Sequence, residues 1–108
     1  MTHDKYKELI QILEECTAAC SHCFDACLKE EDVKMMADCI RLDVECSEIC
    51  SLFSKGLARD TPFVKELAAA CAAICEACGK GCEKHDHDHC QKCAEACFKC
   101  AKACKDAA

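Results

Sequence analysis

From Tyr6 onward, nonpolar side chains recur every three or four positions: Tyr6, Leu9, Leu13, then Cys16, Cys20, Cys23 and Cys27. Residues three and four apart share one face of an α-helix. Alternating threes and fours is the seam that faces a partner in a packed bundle. Charged and small residues fill the intervening positions, so the segment predicts an amphipathic helix whose buried stripe changes from leucine to cysteine. The stretch CTAACSHCFDAC steps by four, three and four, and the same step returns twice: Cys71, Cys75, Cys78, Cys82 and Cys93, Cys97, Cys100, Cys104. Cys90 precedes the last set, and Cys39, Cys46 and Cys50 form a sparser one.

Turn chemistry divides the pattern into four helices, at about 4–29, 32–58, 62–84 and 87–105. The polar KEED at 29–32 ends the first, with Asp32 a candidate N-cap of the second. RDTP places Thr61 as a cap and Pro62 at the first helical position. HDHDH at 85–89 offers Asp86 or Asp88 as the cap of the last helix. No stretch shows the alternation of a strand. Long helices with short connections predict an all-α fold, an antiparallel up-down-up-down four-helix bundle with a cysteine-lined core, as one domain over residues 1–108.

That topology sends Tyr6, Leu9, Leu13, Phe53, Leu57, Phe63 and Leu67 to one end as an apolar plug. The opposite end gathers Cys27, Met35, Cys39, Cys82, His85, His89 and Cys90, a mouth rimmed by metal-ligating residue types. His85 lies three residues after Cys82 and His89 four before Cys93, which keeps both near the seam, whereas His87 falls off that face and is expected in solvent. His22 also lies off the seam. Met35 stands four residues before Cys39, a place that suits a thioether ligand and ordinary packing equally. Off the seam, Phe24 with Leu28 and Ile40 with Val44 form apolar i,i+4 pairs that suit bundle margins or self-association.

Sixteen cysteines in 108 residues change how the core is read. Such density marks a disulfide scaffold in small exported proteins. The start MTHDKYKELIQ, however, lacks the basic and apolar regions of an export signal. The expected compartment is the cytoplasm, where thiols stay reduced and cysteine density points to metal or thiol chemistry. A net charge of −6 and a pI near 5.3 argue against a nucleic-acid partner, and no apolar run is long enough for a membrane span.

Geometry favours a metal over disulfides. Helical neighbours at i,i+4 hold their Cβ atoms about 5–6 Å apart, while a disulfide needs about 3.5–4.5 Å. Two metal–sulfur bonds of about 2.3 Å allow sulfurs up to about 4.6 Å apart. Zinc takes about four thiolates per ion, which leaves a charge of about −2 at each site inside a narrow core. Cu(I) accepts two or three thiolates, and one bridged Cu(I) per thiolate leaves the core neutral. Iron–sulfur clusters usually draw their cysteines from loops with C-x2-C-x2-C spacing. Thioredoxin-like chemistry at CSHC or CQKC lacks a βαβ setting. An enzyme would single out one or two activated thiols rather than multiply equivalent ones.

The modules CTAACSHCFDAC, CIRLDVECSEIC, CAAICEACGKGC and HDHDHCQKCAEACFKCAKAC together resemble the bacterial four-helix-bundle copper storage proteins, in particular their cytosolic branch. The resemblance covers essentially the whole chain. It implies many Cu(I) ions held by the core cysteines, storage or detoxification, entry through the open end and a homotetramer. It also supports Met35, His85 and His89 as mouth ligands, leaving open which histidine of the turn binds. Copper donor or recipient proteins are the other expected partners. The alternatives are a zinc or general soft-metal sink and a thiol redox protein.

Overall fold

The computed structural model describes residues 5–108. Four helices form in chain order: α1 (Lys7–Leu28), α2 (Ala37–Ala58), α3 (Val64–Glu83) and α4 (Asp88–Ala107), with a 3₁₀ turn at Val33–Met36 leading into α2. At 20 to 22 residues and 1.5 Å rise, each is about 30–33 Å long. Short connections reverse the chain at every step, and each helix packs on its two neighbours, α4 closing the ring against α1. The bundle measures 48 × 18 × 17 Å. The expected helix start at residue 4 lies outside the described residues.

The connections differ from expectation in instructive ways. α2 begins four to five residues later than anticipated, because Asp32 opens a 3₁₀ turn; its carbonyl accepts the Met35 amide (2.9 Å) while its carboxylate makes no cap bond. Between α2 and α3 the helix ends in a Schellman arrangement, with Thr61 N–H on the Gly56 carbonyl (2.9 Å) and Asp60 N–H on that of Leu57 (3.2 Å). Asp60 takes the left-handed position, φ 58°, that glycine usually fills. Thr61 does accept an amide, that of Phe63 at 3.2 Å, although the helix proper starts at Val64. Before α4 the cap position belongs to His87, with Asp88 already inside the helix, so neither expected aspartate caps it.

One end of the bundle is closed by fully buried Leu13, Phe53, Leu57 and Ala68, with Tyr6, Leu9 and Leu67 packed around them. Phe63 does not join this plug. It precedes the first turn of α3 and is 59% exposed, lining a surface groove with Leu52 and Pro62. Above the plug the core is thiol: all sixteen cysteines are free and buried.

Candidate metal centre

Each helix brings its cysteine stripe inward because three-and-four spacing puts those side chains on one face. The resulting sulfurs stand at ligand spacing. Along single helices, Cys23–Cys27, Cys71–Cys75, Cys93–Cys97, Cys46–Cys50 and Cys78–Cys82 are 3.7, 3.8, 3.9, 4.0 and 4.0 Å apart. These fall within the span that one bridging metal allows. Between helices the approach is as close: Cys46–Cys75 and Cys50–Cys75 at 3.5 Å, Cys20–Cys97 at 3.6 Å, and Cys39–Cys82 at 3.0 Å.

The sulfurs form overlapping groups of four, each with all members within 4.8 Å: Cys50, Cys71, Cys75, Cys100; Cys16, Cys46, Cys50, Cys75; Cys16, Cys20, Cys46, Cys97; Cys20, Cys78, Cys93, Cys97; and, at the other end, Cys23, Cys27, Cys39, Cys90. The first four groups share members in succession, and the fifth, which shares none with them, is joined to the rest by the 3.0 Å approach of Cys39 to Cys82. Closed tetrahedral zinc sites would require separate sets of four. Shared sulfurs suit ions that bridge from one thiolate to the next. Cys104 extends the buried lattice towards the plug.

One carboxylate lies inside the lattice. Asp43 is fully buried on α2. Its Oδ1 accepts S–H bonds from Cys93 (3.2 Å), Cys78 (3.3 Å) and Cys82 (3.5 Å), and its Oδ2 lies 3.8 Å from Cys39. Burial, reinforced by the thiols of Cys93, Cys39 and Cys78, pushes its carboxyl up to about 10. At neutral pH the metal-free site therefore holds it as a neutral acid.

At the mouth, His89 is the histidine that reaches the sulfurs. Its Nδ1 is 3.5 Å from both Cys23 and Cys90 and 3.9 Å from Cys27. Burial raises the thiols of Cys27 and Cys90, the latter to about 11. Metal-free, both are S–H groups at neutral pH. His85 follows the end of α3 and lines an outer groove with Met35, Leu42 and Lys84. Its carbonyl is held by Gln91 Nε2 at 2.6 Å, and its ring makes no sulfur contact among the described residues.

Met35 also lies outside, with 75% of its surface exposed, and its neighbour Met36 is the buried one. The 3₁₀ turn explains the exchange. With three residues per turn, Met36 rather than Met35 stacks in line with Cys39. His87, expected in solvent, is partly buried instead: Nδ1 is 3.0 Å from Glu30 Oε2, Nε2 3.3 Å from Asp32 Oδ1, and its ring stacks on that of His89.

A family model described as copper storage protein matches residues 2–108. The chain belongs to the copper storage protein family. The curated cysteine-rich protein YhjQ of Bacillus subtilis is 52% identical over 94 residues, 86% of this chain and 87% of that protein. The Cu(I)-bound copper storage protein BsCsp3 from the same species superposes with a TM-score of 0.92 at 51% identity, covering 95% of this chain and 97% of that one. The cytosolic copper storage protein of Streptomyces lividans, solved with five coppers, gives 0.92 at 36% identity over 97% and 92% of the two chains.

Within this copper storage bundle, the sequence reading missed three residues. Asp43 continues the 4,3,4 step of the other helices through Cys39, Cys46 and Cys50, so its phase alone places it inside. Glu30 and Met36 carry weaker signals, since both depend on how the turn between α1 and α2 is wound.

Proposed function

We propose that this chain is a cytoplasmic, non-enzymatic store and buffer for Cu(I), binding about one ion per thiolate. Its ligands are all sixteen cysteines, with His89 at the mouth and Asp43 as an oxygen ligand within the lattice. The observation that carries this reading is the overlap of the four-sulfur groups. A continuous lattice lets each thiolate bridge, cancels the charge of the thiolates and multiplies capacity. The solved relatives support the identity of the ion, since one is described as Cu(I)-bound and another as holding five coppers.

Entry proceeds at the His89 end, because the opposite end is sealed by Leu13, Phe53 and Leu57. His89 offers neutral nitrogen, a weaker hold than thiolate, so an ion captured there passes inward to Cys23, Cys27 and Cys90. Met35 and His85 stand on the outer wall, where they are placed to meet a copper donor or recipient protein rather than the lattice. Half-exposed Leu28 and Val44 supply apolar surface for assembly of bundles into a tetramer. No helix of the described residues is long and apolar enough to cross a membrane.

The test is an anaerobic competition titration of the reduced protein against a chromophoric Cu(I) chelator, repeated with Zn(II). Cu(I) should be withdrawn from the chelator until about one ion per thiol is bound. Saturation after one or two ions, or a stronger and equally extensive uptake of Zn(II), would refute the reading.

A further inference from the structure

The side chain of Glu30 stands where helix electrostatics disfavour it. α1 ends at Leu28, and the Glu30 amide still donates to the Cys27 carbonyl at 3.2 Å. The carboxylate thus sits at the negative end of the helix dipole, in a helix whose last turn carries no basic residue. Its partners are two imidazoles. Glu30 Oε2 is 2.8 Å from His89 Nε2 and 3.0 Å from His87 Nδ1. The two rings lie parallel within 6°, centroids 5.3 Å apart, and Asp32 holds the far nitrogen of His87.

The consequence falls on His89. Its ring is 13% exposed and spans from the surface to the thiols. With Nε2–H donated to Glu30, the neutral ring keeps its lone pair on Nδ1, the nitrogen that faces Cys23, Cys27 and Cys90. The opposite tautomer would point an N–H at those sulfurs and offer an incoming cation nothing. Stacking on His87 removes the other escape, rotation of the ring out of the mouth.

We propose that Glu30 is the positioning residue of the copper mouth, fixing the tautomer and orientation of His89 so that Nδ1 is the receiving atom for Cu(I). This rests on the reading of His89 as the entry ligand, and the experiment separates the two. In the metal-free, ¹⁵N-labelled protein, long-range ¹H–¹⁵N NMR should show His89 protonated at Nε2 alone. Glu30→Leu should give a mixture of tautomers, while Glu30→Gln, which keeps an acceptor oxygen, should retain the wild-type pattern. In stopped-flow loading, Glu30→Leu should slow the earliest phase of Cu(I) uptake about tenfold, the low end for loss of a partner behind a metal ligand. Final capacity should not change, and Glu30→Gln should recover most of the rate. Glu30 lies in the turn after α1, so circular dichroism should confirm intact helices in both variants. An unchanged His89 spectrum or an unchanged early phase in Glu30→Leu, while His89→Ala is slow, overturns the positioning role. A wild-type early phase in His89→Ala overturns the entry-ligand reading itself.

Discussion

Replacing Asp43 by asparagine isolates the one carboxylate buried among the thiols. In the metal-free protein burial pushes the Asp43 carboxyl up to about 10, whereas an unfolded chain holds aspartate near 3.9. The folded state therefore binds the proton more tightly than the unfolded state does. Folding gains most from this group below about pH 4, and the gain is lost progressively as the pH rises towards 10. At pH 7 about three pH units of the interval have been crossed, each worth about 1.4 kcal/mol, so retaining the carboxyl costs about 4 kcal/mol relative to a side chain that never ionises. The amide of the variant would keep an oxygen for the thiols of Cys78 and Cys93 and bring no charge. Asp43→Asn should accordingly stabilise the reduced, metal-free protein at pH 7 by about 2–4 kcal/mol, the lower figure allowing for relaxation around the amide. Urea unfolding followed by circular dichroism at pH 5, 6, 7 and 8 measures the difference directly. It should grow with pH at close to 1.4 kcal/mol per unit. A difference that does not vary with pH, or a variant less stable than wild type at pH 8, would refute the account of a neutral buried acid.

Phe53→Ala opens the apolar plug, so it should destabilise the metal-free protein by about 3–5 kcal/mol while leaving Cu(I) capacity unchanged, as chemical denaturation and copper titration would show. Asp60→Gly relieves the left-handed residue after α2 and should raise stability by up to about 1 kcal/mol in the same denaturation assay. Replacing Met35 and His85 together, by leucine and alanine, should leave uptake of small chelated Cu(I) within about twofold of wild type in stopped-flow measurements, because neither side chain belongs to the sulfur lattice; a loss as large as that in His89→Ala would return them to the mouth.

Most of the bundle was legible because one rule, three-and-four spacing, governs both the helix and its inward face. Cys16 to Cys27 and Cys71 to Cys82 could be assigned to the core from sequence alone, and the plug of Leu13, Phe53 and Leu57 followed from chain reversal. Asp43 was hidden by composition rather than by phase: a carboxylate is ordinarily sent to the surface, and the surrounding thiols that satisfy it are contributed by α3 and α4. The mouth was harder because it is made of turns. A 3₁₀ step of three residues exchanged Met35 for Met36, and His87 acquired Glu30 and Asp32 from a segment 55 or more positions earlier, a proximity that periodicity does not encode. Phe63 was misplaced for the same reason, one residue short of the helix that would have carried it inward.

Whether the thiols act as one bridged lattice for Cu(I) is decided by native mass spectrometry of the reduced protein loaded anaerobically with increasing Cu(I). A bridged lattice gives a succession of species that rises to about one copper per thiol, with one proton lost for each thiol that becomes a ligand. A distribution that stops at one or two ions per chain, whatever the excess of Cu(I), would contradict it.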